Sequence, residues 1–567
     1  YSRMYPAIEE IRDYLDSDPD KPFILVEYCH AMGNGPGDLE DYWEIILADE
    51  HACGGFVWEW CDHTVLAGRD ETGREIHLYG GDHGEAVHDG NFCVDGLVAP
   101  DRTPHAGLLE LKNVQRPARV VDYDQERGLV TLRNDLDFTD LDQYARLSYE
   151  IRCDGTVVES GPLELPGPVP PHSIVTLRCA PAVPDAGRCH LLITSRLRRQ
   201  VPLLEPGHEL GFDEIPLANA DPRHRAVAKA LGPVAEALEA GADVAARPNG
   251  AVGYSDTAGA VGAGSAADAA DAVRDGCETT LTGGDLTVVV DTRSGLPRSL
   301  RVGDRELLDR PMELNIWRAP TDNDRHIRRQ WERAGYDRAG AQAYSTRIIR
   351  RRGAVAVHAE MSVSATALQP ALRVRAVWTV TESGELAVNL RARKSEGFPC
   401  LPRFGLRLFL PSSMHQVAYY GLGPGESYID KHRSCHHDEF RTTVAELHEG
   451  CIRPQENGSR ADCDYVALTE GADDALELTA VGLRPFSFNV SAYTQEELTE
   501  TAHDAELSPC GSTVLCLDGA MAGIGSASCG PELRPDYRVD EDALGLDLVL
   551  LPLISSPIPN SAHNEVN

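Results

Sequence analysis

Ile24-Leu25-Val26-Glu27-Tyr28-Cys29-His30-Ala31-Met32-Gly33-Asn34 is the stretch that decides the fold: an apolar run ends on an acid and gives way to a turn of small residues. Phe23 to Glu27 has the length and β-branched content of a buried strand. Helical spacing precedes it over Ala7 to Leu15 and follows it around Asp38 to Leu47, and a second apolar strand is expected from Gly54 to Trp60. Strand and helix in alternation fit the last units of a parallel barrel, with helices outside and strand ends facing a shared mouth. Two strands cannot close a barrel. The remaining strands are expected to lie upstream of Tyr1, which starts the chain without Met and reads as the middle of a longer protein.

Farther along, the texture changes. Short β runs at Leu129 to Leu132, Arg146 to Ile151 and Ile174 to Leu177, separated by Pro and Gly, predict a small antiparallel sandwich. Ala and Gly then dominate, with an amphipathic piece near Val227 to Leu238, and this region reads as a largely mobile linker. Beyond Thr279, the runs Leu286 to Val290, Val355 to Ala359, Leu372 to Thr379, Leu386 to Leu390 and Leu548 to Leu551 predict one large sandwich. The expected fold class is therefore multidomain: an incomplete (β/α)8 barrel end over 1–117, an immunoglobulin-like β-sandwich over 118–206, an Ala/Gly-rich linker over 207–275 and a large C-terminal β-sandwich over 276–567.

Composition narrows the function. A net charge of −36 over 567 residues argues against nucleic acid as a partner, because phosphate binding needs concentrated Lys and Arg. No run approaches the roughly 18 apolar residues of a membrane helix. The 15 cysteines are scattered without a C-x-x-C pair, so reduced thiols and a cytoplasmic location are the expectation.

Glu27, at the C-terminal end of its strand, sits where a barrel places catalytic groups; a Glu that merely caps the neighbouring helix is the alternative. In Gly54-Gly55-Phe56-Val57-Trp58-Glu59-Trp60, the alternation of a strand puts Trp58 and Trp60 on one side, as core or as a platform for a pyranose ring, and turns Glu59 to the other. Tyr79 to Gly84 and Asn91 to Gly96 form a Gly-rich, acid-bearing loop with groups suited to hydroxyls, or a plain turn.

Together, Glu27 to Asn34, Gly54 to Trp58, Tyr79-Gly80-Gly81-Asp82 and Asp101-Arg102-Thr103-Pro104-His105 resemble the end of the barrel in large microbial β-galactosidases of glycoside hydrolase family 2. Trp317 to Asp324, Tyr420-Gly421-Leu422-Gly423-Pro424 with Glu426 and Tyr428, Pro454-Gln455-Glu456-Asn457-Gly458, and Phe486, Asn489, Val490 and Ser491 with Tyr493 resemble the family's terminal sandwich, in the same order. The resemblance implies a retaining β-galactosidase acting on terminal β-galactosides such as lactose. Glu27 would be the nucleophile and Tyr5 the phenol bonded to it, with His30 and Trp58 against the galactosyl ring. Phe92, through its carbonyl, and Asp95 would help hold Na+ and the sugar 6-hydroxyl. Best-known members carry Asn at the position of Asp95, and a Trp that shapes the aglycone subsite near the position of Cys529. Mg2+ is implied for the intact enzyme, with its ligands and the acid/base Glu on upstream strands, as is a homo-oligomer. No second carboxylate stands out, since Glu85 lies in a loop with nothing to fix it, so the chain alone is expected to be inactive. Alternative readings are another family 2 activity, β-glucuronidase or β-mannosidase, or a non-catalytic complementing subunit.

Overall fold

The computed structural model describes residues 1–234, 270–471 and 475–554. The first unit is a three-stranded parallel sheet of Ser2–Met4, Phe23–Tyr28 and Ala52–Val57, in that order. Its middle strand pairs Met4 with Glu27 on one side and Leu25 with Gly55 on the other. Gly55 is required for this approach, because a Cβ there would come within 2.7 Å of the Leu25 Cβ. Helices Ile8–Leu15, Leu39–Ala48 and Ala106–Val114 cover one face, where Ile11, Phe23, Leu25, Tyr28, Leu39 and Val114 form a core. On the other face Val26 is exposed, along with Met4 (57% exposed) and Phe56 (64%). Successive side chains of a strand point to opposite faces, and only the face toward the helices is covered.

Ser2–Met4 adds a third strand to the two expected. It is short and exposed, and pairing with Phe23–Tyr28 makes it a strand. The second expected strand stops at Val57, so strict alternation does not reach Trp58, Glu59 and Trp60.

The small sandwich packs a three-stranded sheet (Ala118–Asp124, Leu129–Asn134, Ile174–Arg178) on a four-stranded one (Ala145–Cys153, Thr156–Leu163, Cys189–Leu197, Glu209–Leu217). Val130, Leu132, Leu147, Ile151, Leu191 and Ile193 fill the space between them. Glu209–Leu217 corrects the expected boundary at 206: it is an edge strand, where Pro216 needs no ladder hydrogen bond on its open side. The expected 207–275 linker also contains helix Arg225–Leu231, whose Val227 and Leu231 pack with Val481 and Val549, and strand Asp271–Asp275. Residues 235–269 of that region lie outside the described residues, as do 555–567 of the terminal sandwich.

The terminal unit combines a five-stranded antiparallel sheet, Asp271–Asp275 to Arg305–Glu306, with a twelve-stranded sheet between Arg310 and Ile554. Leu, Val and Trp alternate into one continuous core; strand Leu286–Asp291, for example, buries every second residue. Among the described residues no helix is long and apolar enough to cross a membrane.

Candidate active site

Glu27 is the penultimate residue of strand Phe23–Tyr28, and its carbonyl accepts the Tyr5 N–H at 2.9 Å. Tyr5 follows strand Ser2–Met4 with φ at +48°, a left-handed conformation that costs a non-glycine residue about 1–3 kcal/mol and that turns the chain at the strand end. Its hydroxyl donates to the Glu27 carboxylate. Burial first, then the Glu27 hydrogen bond and the Glu27 charge, push the phenol far above its ordinary range, so it stays protonated as a donor.

Beside this pair lies His30, its ring 5.8 Å from that of Tyr5 and 6.2 Å from that of Phe92. Burial, with the nearby charge of Arg325, lowers the His30 pKa to about 4, which leaves a neutral imidazole at neutral pH. One ring nitrogen lies 3.0 Å from the Ser528 hydroxyl and the other 3.5 Å from Asp95. Trp58 is partly open to solvent, and its indole N–H donates to Asp95 Oδ2 at 3.2 Å. Burial, with the charge of Glu59, raises the Asp95 carboxyl to about 7 against the lowering effect of the Trp58 bond. Asp95 Oδ1 is buried with no hydrogen-bond partner. A buried acceptor of this kind, in the same loop as Phe92, fits a ligand or cation that supplies the missing contact.

All six residues singled out in the sequence thus gather in one cluster. The terminal sandwich completes it with Arg325 and Ser528, which the sequence reading did not assign, and with Cys529, whose position it placed near the aglycone subsite. Arg325 lies over the Phe92 ring at 4.7 Å and donates to the Ser528 carbonyl at 3.1 Å. Cys529, next in the chain, is exposed and near enough to Glu27 and Asp95 for both charges to raise its thiol pKa, after burial.

The sandwich motifs that carry the resemblance explain how that segment reaches the cluster. Arg318, fully buried, grips Asp324 with two bonds of 2.9 and 2.7 Å and donates to the carbonyls of Ala522 and Gly523 at 2.9 Å each. Asn323 donates to the Gly525 carbonyl and accepts the Ser528 N–H, while Asp430 accepts the N–H groups of Ile524 and Gly525. From the barrel side, Asn34 donates to the Glu456 carbonyl at 2.7 Å, to Tyr428 at 3.2 Å and to Glu426 at 3.3 Å, and it accepts from Lys431. Gly33 has φ at +60° and would place a Cβ 2.4 Å from the Gln455 amide, so only glycine fits this junction.

Two expectations are corrected. Glu59 does not turn away, because the strand has already ended; its charge acts on Asp95, and its carboxyl lies 3.7 Å from His63. Glu85 is fixed after all, accepting the N–H groups of Gly81 and His83 within its own loop. That loop docks on the sandwich, with Tyr79 stacked on His503 at 4.6 Å and Asp82 bonded to the same imidazole at 2.8 Å. Its later part, Asn91 to Asp95, enters the cluster.

Comparison with known proteins follows the same three units. Residues 1–120 match "Glycosyl hydrolases family 2, TIM barrel domain", 130–218 match "Beta-galactosidase, domain 4" and 282–550 match "Beta galactosidase small chain". The β-galactosidase of Actinobacillus pleuropneumoniae is 37% identical over 95% of this chain and 49% of its own length. That of Staphylococcus xylosus is 34% identical over 95% of this chain and 50% of its own. The chain spans about half the length of these curated relatives. With the three matches in sequence order and the barrel end, small sandwich and terminal sandwich built as described, the chain belongs to glycosyl hydrolase family 2.

Proposed function

We propose that this chain supplies the nucleophile half of a retaining β-galactosidase that removes terminal galactosyl residues from β-galactosides. The observation that carries the reading is Glu27 at a strand end with the Tyr5 hydroxyl on its carboxylate, beside neutral His30, half-open Trp58 and Asp95 with a free oxygen. An indole face suits the C–H face of a pyranose, and a buried acceptor suits its hydroxyls.

In this reading Glu27 attacks the anomeric carbon, the glycosidic C–O bond breaks as the ester bond forms, and water later releases galactose with net retention. Tyr5 holds the attacking carboxylate in place by its hydrogen bond and returns as donor when the ester hydrolyses. His30, uncharged, aligns Asp95 and the ring hydroxyls without adding positive charge. Asp95 Oδ1 and the Phe92 carbonyl are the groups that would hold a monovalent cation, which when bound would anchor the sugar 6-hydroxyl.

A retaining mechanism needs a second carboxyl about 5–5.5 Å from the first, to protonate the leaving oxygen. Glu59 and Asp95 are engaged with each other and with Trp58, His30 and His63, so neither suits that role. The acid/base group, and the Mg2+ ligands with it, are assigned to the part of the relatives' length that this chain does not span. The test is Glu27→Gly in a protein that covers that length. Turnover of an aryl galactoside should be lost, and added azide should restore release of the phenol, forming galactosyl azide of inverted configuration. A variant that retains turnover without azide overturns the assignment.

A further inference from the structure

Far along the chain from the Glu27 cluster, the small sandwich meets the terminal sandwich through His190 on strand Cys189–Leu197, Glu214 on Glu209–Leu217 and His437 on His436–Thr443. One ligand atom from each of these residues lies within 4.8 Å of the other two. The site is enclosed: His190 is 3% exposed and His437 7%. We propose that these three side chains bind a divalent transition-metal ion of the zinc type, which ties the two sandwiches together.

Three observations converge on this. The donor set is two imidazole nitrogens and one carboxylate, which suits borderline divalent ions; Mg2+ and Ca2+ prefer all-oxygen sites. The groups behind the ligands are already in place. His437 Nε2 lies 2.8 Å from Asp462 Oδ2, the carboxylate–imidazole pairing that points the opposite ring nitrogen at a metal, and Glu214 Oε1 is fixed by the His437 backbone N–H at 2.7 Å. The ligand atom left to Glu214, Oε2, then sits 2.6 Å from His437 Nδ1. Finally, His190 Nδ1 is buried with no hydrogen-bond partner, as is Asp464 Oδ2 in the same cluster.

Charge points the same way. Asp462 and Asp464 are both paired to a single guanidinium, Arg188, at 2.7 Å each, and Glu214 adds a third carboxylate. A dication offsets that excess. The His190 and His437 rings stack in parallel at 4.4 Å, so seating the ion splays them and replaces the proton shared by His437 Nδ1 and Glu214, which leaves to solvent.

The experiment uses the full 567-residue chain, untagged and stripped with chelator, titrated with ZnCl2 by calorimetry and checked by elemental analysis. The expected result is a single Zn2+ per chain and a raised thermal midpoint. His190→Gln and Glu214→Gln should abolish stoichiometric binding, and Asp462→Asn should weaken it about ten- to a hundredfold. Should a variant fail to fold, Co2+ on the unaltered chain decides: the intense visible bands of a tetrahedral nitrogen–oxygen site support the proposal. No stoichiometric ion on the unaltered chain, weak octahedral Co2+ bands, or binding indifferent to both glutamine substitutions overturns it and leaves the cluster an imidazolium–carboxylate clasp.

Discussion

Replacing Arg318 by Met should loosen the segment that carries Ser528 and Cys529 to the Glu27 cluster. Arg318 is fully buried, and its guanidinium satisfies both oxygens of the buried Asp324 and the carbonyls of Ala522 and Gly523. Truncation leaves Asp324 without its cation, which for a buried pair costs about 3–5 kcal/mol. The segment opens locally from the sandwich, so the cost appears as a smaller free energy of local opening. At about 1.4 kcal/mol per tenfold, a loss of 3 kcal/mol means exchange roughly 150-fold faster. Native-state hydrogen exchange by mass spectrometry reads this at the Ile524 and Gly525 amides, which are bonded to Asp430. Strand Leu372–Thr381, deep in the sheet, serves as the unaffected reference. The double variant Arg318→Met/Asp324→Leu should recover part of the loss, because no buried charge is then left unpaired. Acceleration of less than tenfold in the single variant would mean that Arg318 does not hold this segment.

Three further outcomes are expected. Tyr5→Phe removes a hydrogen bond to a carboxylate, about 1.5–3 kcal/mol, so kcat/KM of the completed enzyme should fall roughly ten- to a hundredfold; an unchanged value would separate Tyr5 from the nucleophile. His358 accepts from Arg347 and is held, by burial and then by that charge, near a pKa of about 4, so below about 6.5 the unfolded chain takes up a proton that the folded chain refuses and stability falls with pH. His358→Phe should therefore lose less thermal stability than the unaltered chain between neutral pH and about pH 5, and equal losses would reject this. The Cys153 and Cys189 sulfurs lie 2.9 Å apart on paired strands, 36 residues apart in sequence. Diamide, which takes up the two thiol hydrogens, should join them and stabilise the small sandwich by about 4 kcal/mol; a peptide map without this link would count against the geometry.

What could be read from the sequence followed from local physics. The Phe23–Tyr28 strand and helix Leu39–Ala48 announce themselves because their burial follows a simple period. Ser2–Met4 does not, since three residues with Met4 alone apolar have no period and become a strand only through Ile24 and Leu25 beside them. Glu209–Leu217 was hidden by Pro216 and its acidic residues, which an edge strand tolerates and a central one does not. Glu59 was misplaced because the pleat argument assumes a strand that continues past Val57. Arg325 and Ser528 reach His30 from more than 290 residues away, by contacts that no local pattern encodes. Their signal was indirect: Arg325 follows Asp322-Asn323-Asp324, and Ser528 sits in the Gly-rich segment that Asn323 clamps.

The role proposed for Glu27 is nucleophile of a galactosyl transfer to water. Its most direct test is to treat the protein, completed to the relatives' full length, with a 2-deoxy-2-fluoro-galactosyl fluoride and to map the labelled peptide by mass spectrometry. A single fluorogalactosyl ester on Glu27, absent from Glu27→Gln, is expected. Label on another carboxylate, or a protein that turns over galactosides yet takes up no label, would contradict it.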